Sequence, residues 1–255
     1  MVRDRGKLWA VLLVAVLLTN LFPAAASAAP EPFCWDEDFS DQSSVSGTGL
    51  ILKLIDAEIE ENPVGNKAVK AVSSGANAEI KSPDMTALNA GTPVSGENMI
   101  ITWKFNMAES TSGQFAIRGG GGVISVLNTA WVDDTTFKIS RYVYWDGTKN
   151  AERTLNIPMN TNTWYQVLLK LNSNTGLYDL YFADENGIVL TDLESGSPAA
   201  FQYVPVRYQF NSGSAANVVS WEMGLSASGK TVWFDDFYIG DNANYPLPTI
   251  STVSP

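Results

Sequence analysis

One predicted strand carries polar and aromatic side chains that could bind a ligand or act on it. Lys138, Tyr142 and Tyr144 stand two or four positions apart, and residues at this spacing share one face of a strand. Gln114 and Arg118 share a face of an earlier strand for the same reason. Aromatic rings stack on sugar rings, and amide and guanidinium groups hydrogen-bond to sugar hydroxyls. This pattern predicts a carbohydrate-binding surface.

Two further groups extend that surface. Arg207 and Gln209 alternate in a later strand and would join the surface if their strand is a neighbour. The loop Trp145-Asp146-Gly147 is a further candidate. The predicted ligand-binding residues are Gln114, Arg118, Lys138, Tyr142, Tyr144, Arg207 and Gln209.

The sequence is also compatible with two alternative functions. A polysaccharide lyase needs a base for the proton next to a uronate carboxyl group and a cation for that carboxylate, and Tyr142 or Tyr144 with Arg118 could supply both. The acidity of the chain opposes this alternative, because it repels a polyuronate. A structural or adhesive protein that binds another protein through a sheet edge or face is the third possibility.

The chain of 255 residues has no His and a single Cys. Without His there can be no His-ligated zinc and no Ser-His-Asp or Cys-His triad. Because Cys34 is alone, no disulfide framework can form, and the fold must be held by its hydrophobic core. These absences remove many hydrolase classes and favour a binding module over an enzyme.

The formal net charge is −11. Binding to nucleic acid or to an anionic membrane surface needs a basic patch, so neither partner is expected. Neutral polysaccharides remain compatible with this charge. The predicted partner is therefore a glycan or polysaccharide.

Residues 1–29 have the pattern of a secretory signal peptide. Arg3, Arg5 and Lys7 precede the apolar run 8–18, which is too short to anchor a protein in a bilayer. Small residues follow, and we expect cleavage after Ala28 or Ala29. The mature protein is then more acidic still, and it is predicted to be secreted or cell-surface associated, without a membrane anchor.

The rest of the chain is predicted to be all-β. Short alternating segments separated by Gly, Asn, Asp and Ser are typical of a sandwich of antiparallel strands. The clearest predicted strands are 100–107, 114–118, 122–127, 137–145, 163–171, 177–183, 204–210, 218–224 and 231–239. Residues 50–59 favour a strand over an amphipathic helix, and residues 66–72 alternate more clearly. Residues 30–240 would form one domain, followed in 241–255 by a linker or the start of a further extracellular module.

Three segments together resemble the concanavalin A-like jelly rolls, which include laminin-G-like domains, legume lectins and glucanases. They are Asp36-Glu37-Asp38-Phe39-Ser40, Thr163-Trp164-Tyr165-Gln166-Val167 with its Asn-Thr-Gly hairpin, and Val232-Trp233-Phe234-Asp235-Asp236-Phe237-Tyr238-Ile239. The early segment 65–70 is also similar to a strand of that group. The resemblance implies an antiparallel two-sheet jelly-roll sandwich, but such a fold carries many unrelated functions.

The resemblance also implies a structural Ca²⁺ between the first and last strands, held by carboxylate and carbonyl oxygens. The matching residues are Glu37 or Asp38 and Asp235 or Asp236. Since Asp235 and Asp236 would point to opposite faces of a strand, we expect one of them, Asp236, to be the ligand. The ion would stabilise the fold and take no part in chemistry.

Glucanases of this fold carry two catalytic carboxylates on one strand with the spacing E-x-D-x-x-E. No predicted strand here has that spacing. Glu58-Ile59-Glu60-Glu61 comes nearest, but it lies in the wrong part of the chain and ends at a turn. The sequence therefore predicts a secreted, non-catalytic binding module for a glycan.

Overall fold

The computed structural model describes residues 33–61, 67–120, 122–145, 148–206 and 217–250. Within these ranges the chain forms fifteen strands, a single short helix and a 3-10 turn at Val45–Gly47. The strands are β1 Cys34–Glu37, β2 Ile51–Lys53, β3 Ile55–Glu61, β4 Lys67–Ser73, β5 Ala78–Lys81, β6 Met99–Met107, β7 Gly113–Gly119, β8 Gly122–Asp133, β9 Thr136–Trp145, β10 Thr148–Pro158, β11 Trp164–Asn172, β12 Leu177–Asp184, β13 Ala200–Pro205, β14 Val218–Leu225 and β15 Thr231–Asp241. The helix, α1, spans Met85–Leu88.

The strands form two antiparallel sheets that pack face to face. The eight-stranded sheet has the order β13-β12-β11-β6-β15-β4-β3, with β1 paired to β15, and the seven-stranded sheet has the order β10-β9-β8-β7-β14-β5-β2. Trp103 of the first sheet meets Trp221 of the second edge-on, with ring centroids 5.4 Å apart. Both indoles are buried, in a core that also takes alternate apolar residues from the other strands. The prediction of an all-β sandwich is confirmed.

The predicted strands agree with the observed ones within a few residues over most of the chain. Two strands were missed, β5 and β10. The strand predicted over 204–210 is β13, which spans Ala200–Pro205, and residues 207–210 lie outside the described part of the chain. Ile188 and Val189 make isolated bridges, to Thr249 and Ala183.

The run 50–59 forms two strands, because Leu54 interrupts it with a φ of 53°. The strand before this residue, β2, pairs with β5 in the seven-stranded sheet. The strand after it, β3, pairs with β4 in the eight-stranded sheet. Leu54 is therefore the point at which the chain crosses from one sheet to the other.

Two segments, residues 185–190 and 242–249, cover part of the outer face of the eight-stranded sheet, and we call them the cover. The ring of Tyr245 lies 4.9 Å from that of Tyr238, measured between centroids. Val189 donates its backbone N–H to the Thr249 carbonyl at 2.9 Å and packs in a small cluster with Leu168. Residues 242–249, predicted as part of a linker, thus lie against the sheet.

None of the helices in the described ranges is long and apolar enough to cross a membrane.

Candidate functional site

The outer face of the seven-stranded sheet carries an open depression of about 500 Å³, which we call the polar groove. Side chains and backbone of β5, β7, β8 and β14 line it, together with Lys53 of β2 and Ser226 after β14. Alternation within the strands places it there, because Phe115 and Trp221 point into the core while their sequence neighbours face outward. Its volume is in the range of small-molecule binding sites.

An amide pair forms one side of the polar groove. Gln114 of β7 donates from Nε2 to Oδ1 of Asn128 in β8 at 2.9 Å, and the two residues are directly opposite each other in the register. Among the described residues, no other hydrogen bond engages the side-chain amide oxygen of Gln114 or the side-chain NH₂ group of Asn128. The pair thus keeps one acceptor and one donor for a ligand that has both kinds of group.

A charged cluster forms the other side. The Glu222 side chain, only 8% exposed, accepts from Nζ of Lys81 at 3.0 Å and from Nε of Arg118 at 2.7 Å. Lys81 also contacts Glu79 at 3.2 Å. Burial opposes the charge of Lys81, but its hydrogen bonds to Glu222 and Glu79 outweigh burial and raise the pKa of the amine. Ion pairs therefore link the strands β5, β7 and β14 on this face.

Small residues keep the bottom of the polar groove low. Gly113, Ala116 and Gly224 all line it. A Cβ at Gly113 would lie 2.3 Å from the Gly224 carbonyl oxygen, so no other residue fits there. A Cβ at Gly224 would meet only the Ala78 carbonyl oxygen, at 3.8 Å, which is an ordinary contact. A side chain at Gly224 would therefore fill the polar groove without disturbing the backbone.

Three of the predicted ligand-binding residues lie on this face. Gln114 lines the polar groove, Arg118 borders it through Glu222, and Lys138 is exposed two strands away on β9. The backbone at Tyr142 and Tyr144 continues β9, but the side chains of these residues lie outside the described part of the structure, as do Arg207 and Gln209 entirely.

Sequence reasoning missed Asn128, Glu79 and Glu222. Glu222 gave a usable signal, since it is the one acidic residue in the predicted strand 218–224 and alternates with the core residues Trp221 and Met223. Its placement beside Arg118 depends on the pairing of β14 with β7, two strands about a hundred residues apart in sequence. Periodicity within a strand carries no information about such a pairing.

The arrangement bears on the lyase alternative. Arg118, the cation expected to neutralise a uronate carboxylate, is already bound to Glu222. The groove also holds a second carboxylate, Glu79. Both carboxylates are ion-paired with Lys81, whereas glycoside hydrolysis requires one carboxyl group that carries a proton. The geometry suits hydrogen bonding to a ligand better than proton transfer.

The residues predicted to bind calcium lie near the junction of β1 and β15, which pair as expected. Glu37 and Asp38 accept hydrogen bonds from nearby backbone N–H groups. A β-bulge follows Asp235, so the strict alternation assumed for Asp235 and Asp236 does not hold, and Asp236 lies 2.7 Å from Nζ of Lys104.

Asp235 is the buried carboxyl group of this region. Burial, together with the neighbouring Asp236 carboxylate, raises the pKa of Asp235 to about 7. A buried carboxyl group with little compensating charge suits a nearby cation. However, no three acidic, His or Cys side chains of the described residues come together in a way that could hold a metal ion. The calcium site stays a prediction.

A second depression, of about 610 Å³, lies between the cover and the eight-stranded sheet. Its charged groups include Lys104 and Asp236, which neutralise each other. Much of its wall is the C-terminal segment of the chain itself, including Tyr245 and Leu247. It is therefore lined partly by the cover, whereas the polar groove is lined by the strands of its own sheet and the residues next to them.

No protein-family model matches the chain, and no curated protein matches its sequence. Solved structures with a similar fold exist. A carbohydrate esterase, vb_24B_21, from the Shiga toxin-encoding bacteriophage phi24B has a TM-score of 0.52 at 13% identity, over 82% of this chain and 97% of that one. The globular domain of T. cruzi calreticulin has a TM-score of 0.49 at 11% identity, over 82% of this chain and 87% of that one. Peanut lectin has a TM-score of 0.47 at 11% identity, over 83% and 98%.

At such low identity the likeness to the esterase concerns the fold alone. It agrees with the all-β fold of two antiparallel sheets described above. The architecture of this chain is that of a concanavalin A-like jelly-roll sandwich.

Proposed function

We propose that the chain is a secreted, non-catalytic carbohydrate-binding module that holds a neutral glycan in the polar groove. The observation that carries this proposal is the open polar groove itself, with an amide pair on one side, an ion cluster around the buried Glu222 on the other and small residues between them. Its donors and acceptors are held in place before any ligand arrives, which lowers the entropic cost of binding.

The chemistry of the lining favours a neutral sugar. Hydroxyl groups both donate and accept, so they match the Gln114 carbonyl oxygen, the Asn128 amino group and the carboxylates of Glu79 and Glu222. A polyuronate would meet those carboxylates and the negative charge of the whole chain. We therefore propose a neutral polysaccharide or oligosaccharide as the ligand.

The signal-peptide pattern of residues 1–29 supports export of the mature module to where extracellular polysaccharides occur. Calcium, if bound near Asp235, would stabilise the junction of the first and last strands and would not touch the groove.

The proposal is tested on a glycan array with the exported chain and its Gly224→Leu variant, with and without calcium. Ultraviolet absorbance of uronate polymers is followed in parallel, because β-elimination creates an absorbing unsaturated end. We expect retention of a neutral glycan by the original chain, loss of that retention in the variant and no absorbing product.

Two results would contradict the proposal. Growth of ultraviolet absorbance would identify a lyase, and its dependence on Tyr142→Phe or Tyr144→Phe would show which tyrosine is the base. Absence of any retained glycan would favour the structural or adhesive role.

A further inference from the structure

Tyr203 is a large aromatic residue whose conformation is not explained by packing. Its side chain is 78% exposed, and its backbone has a φ of 54°, in the left-handed region that bulky residues avoid. Phe39 has a similar φ of 58°, but its ring is completely buried in the core. The strain at Phe39 is thus offset by burial of the ring, whereas the strain at Tyr203 is offset by no such burial.

A β-bulge in the edge strand β13 presents the ring of Tyr203. The register shifts between Tyr178 and Leu180, so that Asp179 stands opposite two residues of β13. Asp179 accepts the backbone N–H of Tyr203 at 2.7 Å and holds the bulged backbone in place. Bulges of this kind commonly re-aim a side chain next to a functional site.

A depression of about 260 Å³ lies beside the exposed ring, which we call the Tyr203 pocket. Besides Tyr203, its lining includes Glu97, Asn98, Lys170, Asn172 and Asp179. It is smaller than the roughly 300–1,000 Å³ of sites for drug-sized ligands, so it suits a group of about the size of one sugar ring.

The polar side of the Tyr203 pocket is held by a hairpin turn. Asn172 accepts from the backbone N–H groups of Asn174 and Thr175 at 2.9 and 3.0 Å. Asn174 in turn donates to Glu97 at 2.9 Å. The hydrogen-bonding groups are therefore placed before a ligand binds.

We propose that Tyr203 and the Tyr203 pocket form a second carbohydrate-binding site, on the outer face of the eight-stranded sheet. The apolar face of a neutral sugar ring would lie on the phenol ring, and its hydroxyls would meet Lys170, Asp179 and Glu97. A sugar has an apolar face and polar hydroxyls. It therefore fits an exposed aromatic ring beside charged and amide groups better than an apolar protein surface would.

This site lies on the opposite outer face from the polar groove and does not depend on it. Two sites on one module would let it hold two glycan chains, or two parts of one chain, with an avidity greater than either affinity. The proposal thus goes beyond the function assigned to the polar groove, and each site can fail without the other.

The test is a titration followed by amide chemical shifts in two-dimensional NMR. The probes are the six-sugar oligomers of β-1,4-linked glucose, xylose, mannose and N-acetylglucosamine, each up to millimolar concentration. We expect one of them to shift the amides of Asp179, Tyr203 and Asn172. The Gly224→Leu variant, with its polar groove filled, should retain these shifts.

Substitutions of Tyr203 separate binding from stability. Tyr203→Asn should weaken the binding measured by these shifts by about tenfold or more. The same change should raise Tm by roughly 2–4 °C, because Asn tolerates the left-handed region and little packing is lost. Tyr203→Trp should bind at least as well as the original chain.

Leu193→Asn is the matched control, because Leu193 is 55% exposed and lies outside the Tyr203 pocket. It should leave the shifts unchanged. The proposal is overturned if all four probes leave the amides of the pocket unmoved, or if Tyr203→Asn binds as the original chain does. A change in sedimentation coefficient on Tyr203→Asn, without any loss of sugar binding, would point to self-association and would also overturn it.

Discussion

The outer faces of the two sheets differ in polarity and in whether other parts of the chain cover them. The eight-stranded sheet carries apolar residues such as Leu168 and Tyr181 on that face, and the cover packs on them. The seven-stranded sheet carries Gln114, Lys81 and Glu222 on its outer face, and the polar groove stays open. An apolar face is stabilised by a covering segment of the chain, whereas a face whose polar groups are already paired can stay exposed to solvent.

This comparison indicates that the covered part of the eight-stranded sheet and the polar groove of the seven-stranded sheet have separate roles. The cover contributes to stability, and the open groove is available to a ligand. Changes in the polar groove should therefore affect binding more than folding, and changes near the cover should do the reverse. The following predictions test this division, beginning with the largest effect.

Filling the polar groove should abolish binding there. Gly224→Leu places a branched side chain beside Gln114, where a Cβ meets only an ordinary contact. We expect at least about a hundredfold loss of glycan affinity, equivalent to ~2.7 kcal/mol, measured by calorimetry. The Tm should change by less than about 2 °C, because the new side chain adds no buried polar group. A large fall in Tm would mean that the groove also supports the fold.

Removing the buried carboxylate is the exception to this division, because Glu222 lines the polar groove and also links β14 to β5 and β7. Glu222→Ala leaves Lys81 and Arg118 without their shared partner, and we expect the free energy of unfolding to fall by about 2 kcal/mol in denaturant titrations. Glu222→Gln keeps the shape and should lose less. The control is Glu58→Gln, an exposed carboxylate paired with Lys70, whose loss should cost under about 0.5 kcal/mol. Equal effects of Glu222→Gln and Glu58→Gln on the free energy of unfolding would contradict a special role for the buried Glu222.

A carboxylate between β12 and β13 should stabilise the fold without affecting the groove. Asp192 accepts from the backbone N–H of Asn156 at 2.8 Å and from the Ser195 hydroxyl at 2.5 Å. Burial acts to raise the pKa of Asp192, but these hydrogen bonds outweigh it and lower the pKa from 3.8. Asp192→Asn should lower the free energy of unfolding by about 1–2 kcal/mol at pH 7.

The pH dependence of this effect has a definite sign. Because the pKa of Asp192 is lower in the folded than in the unfolded chain, its stabilisation is complete above pH 3.8 and disappears as the pH falls through the folded value. The difference between the original chain and Asp192→Asn should therefore shrink below pH 3.8. A difference that is constant down to pH 2, or a change in glycan affinity, would contradict this account.

The smallest expected effect is that of calcium. If the ion binds at the junction of β1 and β15, millimolar Ca²⁺ should raise Tm by roughly 2–4 °C over chelator, as expected for a weak extracellular site. Asp235→Asn should remove the difference, and the affinity of the polar groove for glycan should not change. Superimposable melting curves with chelator and with calcium would contradict the predicted calcium site.

Much of the fold could be predicted from the sequence, because alternation within a strand is a local property. The strand β10 was missed because most of its residues are polar, and among its described side chains, 153–158, only Leu155 and Ile157 are buried. The crossing at Leu54 was missed because one apolar run gave no sign that its two halves belong to different sheets.

The candidate site was predictable only in part, for the same reason. Alternation placed Gln114, Arg118 and Lys138 on the correct face of their strands. Asn128 and Glu222 complete the polar groove through strand pairing, which depends on the whole topology and not on local pattern. The Tyr203 pocket depends on a β-bulge, and the spacing of residues in the sequence does not predict that bulge.

The most direct measurement is a chemical-shift map of the exported chain with the glycan that it retains on the array. The account predicts that the amides of Gln114, Asn128 and Glu222 shift on titration, and that Gly224→Leu abolishes these shifts. If the amides of the polar groove stay unmoved while those of the cover near Tyr238 and Tyr245 shift, the roles assigned to the two faces are wrong.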